Sequence, residues 1–388
     1  MNSVEAGTGP LHGVVVLDLT RVLSGPFCTQ ILCDLGAEVI KVEPPGGDDY
    51  RHIGPFVDGE SVLFATVNRG KRSIVLDLAR ADDLAIAHAL AARADVVVEN
   101  FRPGVADKLG IGWAQLSSLN PRLVYASISG FGQEGELARR PAYDVILQAM
   151  SGIMAVTGEP DGPPTLVGES IADVAAGLFA SWAILAALYE RHTTGRGRHI
   201  DLAMFDAMVA LQPLVVARYL ATGEAPKRVG NRHPLSAPFG AFAARDGSFV
   251  LAVLNDKLFQ RLAECIGAPE IASYPRFATD SDRLANEAAL RAIIEGWSRQ
   301  YSAREAVAAL VAHGVPAAEI NDMAEALASP HARARGLLQD LADARAGLNR
   351  VPEQPARFSG APRGGLTAAP RLDGDRASIL ADLEEDRT

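Results

Sequence analysis

Residues 14–43 read VVVLDLTRVLSGPFCTQILCDLGAEVIKVE, and this stretch settles the architecture. Residues 14–19 are a short run of branched apolar side chains, the composition of a strand buried on both faces. Ser24-Gly25-Pro26 follows, with proline in the first helical turn, where its missing N–H costs nothing. Phe27, Ile31, Leu32 and Leu35 then recur on one helical face, and Gly36 closes the helix. Residues 37–43 make a second strand. Strand, covering helix and strand together form the unit from which parallel sheets are built.

The same alternation continues outward. Strands are expected at 73–78, 95–99 and 123–129, with helices near 84–92 and 113–119. The fold class is therefore α/β, a Rossmann-like parallel sheet layered with helices. Beyond Gly195-Arg196-Gly197-Arg198 come a strand-like 199–202 and a helical run over 205–219. Residues 221–238, rich in Gly, Pro and basic side chains, read as a linker or long loop. Residues 239–243 and 249–253 flank Asp246-Gly247, a hairpin signal. Helices near 257–266, 285–299 and 303–313 complete a smaller α+β region. This divides the chain into a large domain over 1–220 and a linker with small domain over 221–329. From about Leu337 the sequence is rich in Ala, Arg, Gly and Pro with little periodicity.

At 388 residues the chain is long enough for two domains. Its net charge of −10 argues against a nucleic-acid partner. Cys28, Cys33 and Cys265 form no C-x-x-C pair, and the eight histidines form no ligand cluster, so no metal is expected. Met1 to His12 lacks the basic-then-apolar pattern of a signal peptide. The apolar run 174–189 is short and flanked by charge, and reads as a buried helix rather than a membrane span. The expectation is a soluble, cytoplasmic protein.

Gly130-Phe131-Gly132-Gln133-Glu134-Gly135 matches the dinucleotide fingerprint, but Arg139-Arg140-Pro141 interrupts the helix that the fingerprint needs. Glu99-Asn100-Phe101-Arg102-Pro103-Gly104 is more informative. A strand delivers an amide, an aromatic face and a guanidinium at its C-terminal end, where open α/β sheets bind ligands. These groups suit an adenine nucleotide with phosphates. Lys41, Lys71-Arg72, Lys108 and Arg139-Arg140 add cationic candidates. No G-x-S-x-G nucleophile elbow occurs, which leaves carboxylate chemistry as the leading option. Asp173 stands in Gly168-Glu169-Ser170-Ile171-Ala172-Asp173-Val174-Ala175-Ala176-Gly177, at the mouth of the apolar run. It can serve as a helix N-cap or as a site carboxylate among small residues.

In order along the chain, Leu17-Asp18-Leu19-Thr20-Arg21-Val22-Leu23-Ser24-Gly25-Pro26, Gly36-Ala37-Glu38-Val39-Ile40-Lys41-Val42-Glu43, Asn68-Arg69-Gly70-Lys71-Arg72-Ser73, the Asn100 segment, Thr157-Gly158, Gly162-Pro163-Pro164, the Asp173 segment and Thr194-Gly195-Arg196-Gly197 resemble the class III coenzyme A transferases. The resemblance runs from about Pro10 to at least Leu337. It implies that Asp173 is the catalytic nucleophile. Coenzyme A contacts would fall to Val22, Leu76, Asn100 and Phe101, with Arg21, Lys108 and Leu109 at contact positions of altered residue type. Coenzyme A would be a cosubstrate, with no permanently bound cofactor. The family fold is an interlocked, threaded homodimer, with the C-terminal segment, about 330–388, returning to the large domain. Partners are then an acyl-CoA and a carboxylic acid, exchanged through an aspartyl-CoA thioester, with backbone N–H groups of a glycine loop holding the oxyanions.

Two departures stand out. Leu23 replaces a glutamine of the formyl-CoA transferases, and Gly230-Asn231-Arg232-His233-Pro234 replaces a glycine run, which argues against oxalate as acceptor. Near the end, Asp373-Gly374-Asp375-Arg376 replaces the family signature. The rival reading on the same fold is an α-methylacyl-CoA racemase, whose acid/base histidine aligns with Tyr143, leaving that pair incomplete. A non-catalytic CoA-binding protein is a third reading. In a transferase, Tyr143 would pack against or hydrogen-bond to coenzyme A.

Overall fold

The computed structural model describes residues 9–345, 347–359 and 366–385; most of the polar opening expected to lack a signal peptide lies outside them. Contacts group into two units, Met1–Met154 with Leu166–Ala225 and His331–Thr388, and Ala155–Thr165 with Pro226–Pro330.

The first unit is built on a six-stranded sheet. Its strands are β1 (Val15–Asp18), β2 (Glu38–Glu43), β3 (Arg72–Val75), β4 (Val96–Glu99), β5 (Val124–Ser129) and β6 (His199–Ala203). They run in the order β3-β2-β1-β4-β5-β6, every neighbouring pair parallel. Because side chains alternate along a strand, Val16, Val96 and Val98 enter one core while Leu17, Val97 and Tyr125 enter the other. The first core is closed by helices Ser24–Asp34 and Ile171–Thr194, the second by Ala81–Arg93, Trp113–Leu119 and Arg376–Glu385. Strand order reverses between β1 and β4, which opens a crevice at their C-terminal ends.

Several sequence expectations need correction. The apolar helix spans Ile171–Thr194, 24 residues, longer than read and long and apolar enough to cross a membrane. Half of its most apolar window is nonetheless buried against the chain itself. The helical run over 205–219 is two helices, Met204–Ala210 and Pro213–Thr222, bent by 74°. Pro213 lacks the N–H that would continue the first helix, and opens the second instead. The tail is not featureless. It forms a hairpin, Leu338–Arg345 with Leu348–Pro352, and the helix Arg376–Glu385, whose Ile379 is wholly buried. Asp373-Gly374-Asp375-Arg376 docks on the outer side of β3: Asp375 and Asp373 accept from the N–H groups of Ser73 and Val75 at 2.9 and 2.7 Å, and Arg376 donates to Val75 O at 2.7 Å. An edge strand is thereby capped.

The second unit holds a three-stranded antiparallel sheet of β7 (Phe239–Ala243), β8 (Ser248–Ala252) and β9 (Ala317–Glu319). Helices Asp256–Cys265, Glu287–Ser298 and Ala303–Ala312 pack on it through Phe259, Leu262, Ile294 and Leu310.

Candidate active site

The loop leaving β1 and the loop leaving β4 are stapled together by one side chain. Asn100 accepts from Arg21 N–H at 2.9 Å and donates to Arg21 O at 2.8 Å, so its amide replaces one rung of a sheet ladder beyond the end of the strands. It also reaches Ser24 Oγ at 3.3 Å. Glu99 accepts from Phe101 N–H at 2.8 Å, and the half-buried Phe101 packs against the second core. Burial raises the Glu99 carboxyl to about 7, against the hydrogen bonds from Ser127 and Phe101 N–H.

Two cavities adjoin at this staple, sharing Arg21, Asp49 and Phe101. The first, of about 270 Å³, has predominantly apolar walls that include Leu19, Val42, Pro45, Leu76, Leu78 and Leu109. The second, of about 170 Å³, holds Val22, Ser24, Asn100, Tyr143 and Asp173, with Arg102 and Arg140 at its wall. The residues named for nucleophile and coenzyme A contact all line one or the other except Lys108, which lies exposed beside Leu109. Of the other cationic candidates Arg140 lines the second cavity, whereas Arg139 lines neither and Arg72 pairs with Glu38 and Asp382. Lys41 and Lys71 are not ligand cations at all. Both are fully buried, Lys41 against Asp48 at 2.9 Å and Lys71 against Asp18 at 2.9 Å. Burial alone would raise the Asp18 pKa, but Lys71, Lys41, Thr20 and Thr29 hold it well below the ordinary carboxylate range.

Asp173 is not the helix cap. The N-cap position is Ser170, which makes no side-chain capping bond, and the buried Asp144 accepts from Ala172 N–H at 2.7 Å. Gln148 donates to the other Asp144 oxygen at 2.7 Å. With the cap supplied from another helix, the Asp173 carboxylate is left to the cavity. Burial first, and then the Asp144 charge, raise its pKa to about 7; the hydroxyl and backbone N–H of Ser24 pull the other way. The helix comes this close because of Gly177. A Cβ there would lie 2.6 Å from Ser24 O and 3.2 Å from Cys28 N.

Sequence reasoning missed Ser24, Asp48, Tyr50 and Asp144 as parts of the site. Tyr50 is pushed up to about 12 by burial and then by the charge of Asp173, with Asp48, Glu169 and Asp144 adding to it. The available signal was position: Asp48 and Tyr50 follow the C-terminal end of a strand, and Asp144 adjoins Tyr143. Gly130-Phe131-Gly132-Gln133-Glu134-Gly135 opens no helix; its Gln133 N–H is held by Asp201 at 3.0 Å, while Gly130 lines the Asp173 cavity.

The chain matches the model of CoA-transferase family III over residues 11–376, and it belongs to that family. It is 49% identical to an acetyl-CoA:oxalate CoA-transferase of Acetobacter aceti, over 91% of this chain and 90% of that protein. It is 41% identical to a succinate–glutarate CoA-transferase of Agrobacterium fabrum, over 97% and 96% of the two chains. A crystal structure of a CAIB/BAIF family protein from Brucella suis superposes with a TM-score of 0.87 at 42% identity, covering 97% of this chain and 100% of that one. The protein is thus an enzyme, a CoA-transferase that takes CoA thioesters as cosubstrates.

Proposed function

We propose that Asp173 is the nucleophile that carries coenzyme A from an acyl-CoA donor to a free carboxylic acid. The observation that supports this reading is the freedom of Asp173 from helix capping, at the wall of a cavity adjoining a nucleotide-sized apolar cleft. The adenine end of coenzyme A occupies that cleft between Leu76, Leu109 and Phe101, and the pantetheine arm crosses the Arg21–Asn100 staple. A carboxylate oxygen of Asp173 attacks the thioester carbonyl, the C–S bond breaks, and coenzyme A leaves as thiolate from a mixed anhydride. The thiolate then attacks the aspartyl carbonyl and expels the donor's acid as carboxylate, leaving aspartyl-CoA thioester. An acceptor carboxylate repeats both steps in reverse and departs as the new thioester. Covalent catalysis replaces one exchange between poorly reactive partners by successive acyl transfers.

The acceptor is a short dicarboxylate, the class named for several relatives, and Arg102 and Arg140 supply positive charge at the cavity wall. The protein works as a threaded cytoplasmic homodimer, with 1–220 and the C-terminal segment as the CoA-binding domain and 221–329 as linker and small domain. Leu178, Trp182 and Tyr189 support the dimer: they are exposed at 53%, 57% and 81% along one helix, a large apolar surface for a chain standing alone.

Hydroxylamine added with donor acyl-CoA alone traps Asp173 as its hydroxamate, found by peptide mass spectrometry, and Asp173→Ala abolishes both trapping and exchange. A chiral 2-methylacyl-CoA in deuterated water stays unlabelled at the α-carbon, because Tyr143 stands where the racemase reaction needs the histidine of its acid/base pair. Rapid Asp173-dependent deuteration without acceptor acid sinks this reading in favour of a racemase.

A further inference from the structure

Val22 has a φ of +68°, in the left-handed region that a β-branched side chain strongly disfavours. It sits between the end of β1 and the helix that Ser24 begins, and it lines the cavity of Asp173. Such a conformation persists only where surrounding groups over-determine it. Here they are identifiable. Val22 N–H donates to Asp48 Oδ1 at 3.0 Å, and the same oxygen receives Tyr50 N–H at 2.9 Å. The other Asp48 oxygen pairs with Lys41 Nζ at 2.9 Å, with side chains exposed by 1% and 0%. Lys41 Nζ also donates to Thr20 O at 2.8 Å, so the pair grips the loop on both sides of Arg21. Asn100 fixes Arg21 from β4. The turn at Val22 directs the chain so that Ser24 lies against the helix carrying Asp173, with Gly177 at its carbonyl.

We infer that Asp48 is a positioning residue of the transfer reaction: by holding Val22 N–H it keeps the strained turn that sets Ser24 against the helix of Asp173 and on the wall of the same cavity. This rests on the reading of Asp173 as nucleophile. Donors aimed at a carboxylate favour its ionised, attacking form and orient it. The titratable and charged groups facing Asp173 are Asp144, Tyr50, Tyr143, Asp49 with its partner Arg21, and the guanidiniums of Arg102 and Arg140. None of them is altered in the variants below.

The test is the acid limb of kcat/KM in Asp48→Ala, Asp48→Asn and Lys41→Met/Asp48→Ala. The double variant leaves no buried charge unpaired and so preserves folding where Asp48→Ala alone fails. Loss of the anchor lowers kcat roughly tenfold to a hundredfold and moves the acid limb to higher pH by about half a unit or more. Asp48→Asn keeps an acceptor for Val22 N–H, and its limb stays in place or moves to lower pH because a negative charge has gone. Adding Val22→Gly to the double variant removes the steric objection to positive φ and recovers part of the rate and the limb. A double variant that is folded but keeps the wild-type limb and kcat overturns the inference, as does an upward shift of equal size in Asp48→Asn. Absence of exchange by the wild-type protein would instead strike the underlying reading of Asp173.

Discussion

Replacing Asp173 by asparagine is expected to stabilise the protein, and to do so only where the carboxylate is charged. The pKa rises from 3.8 to about 7 in the folded chain, chiefly through burial. About three pH units at 1.36 kcal/mol each correspond to roughly 4 kcal/mol at full ionisation. The sign follows from linkage. A carboxyl whose folded pKa lies above its unfolded value binds protons more tightly when folded, so stability falls as pH climbs from about 4 and levels off above about 7. An amide pays none of this cost. Local relaxation and the altered bonds to Ser24 reduce the gain, so Asp173→Asn should add about 2–4 kcal/mol at pH 8 and close to nothing at pH 4. Urea unfolding of both proteins at the two pH values, in the absence of coenzyme A, measures the difference. Equal effects at both pH values, or a less stable variant at pH 8, would refute the claim that burial raises this carboxyl.

Asn100→Ala removes both bonds to the Arg21 backbone; it should cost about 1–3 kcal/mol of stability and raise KM for acyl-CoA more than it lowers kcat, measured by steady-state kinetics and thermal unfolding. In the proposed threaded dimer the chains must open locally to separate, so the protein is predicted to remain dimeric on dilution. Active monomer by light scattering at low concentration would contradict that arrangement.

The sheet was legible in the sequence because each strand must bury both faces, and this forces short branched apolar runs that little else in a soluble chain produces. Helices Ser24–Asp34 and Trp113–Leu119 were legible for a similar local reason, through periodicity and end signals. The tail hairpin and the terminal helix were not. Few of their side chains are buried, so little apolar pattern marks them, and the Arg376–Glu385 helix rests on Ile379 in a core assembled from distant segments.

For the site, the linear chain carried Asn100 at a strand end as a ligand candidate and, through family likeness, the candidate Asp173; the bonds of Asn100 to the Arg21 backbone belong to the fold. It could not tell whether Asp173 caps its helix, because that depends on Asp144, 29 positions earlier, accepting the Ala172 N–H. Nor could it separate exposed cations at a cavity wall from buried structural ones. Lys41 and Lys71 look like Arg102 and Arg140 in sequence, and only folding encloses the first two with Asp48 and Asp18. Local propensity also forbids the turn at Val22, and three separate chain segments together impose it. Apolar periodicity is a property of neighbouring residues and survives in one dimension. Desolvation, charge pairing and backbone strain are set by what the folded chain brings from far away.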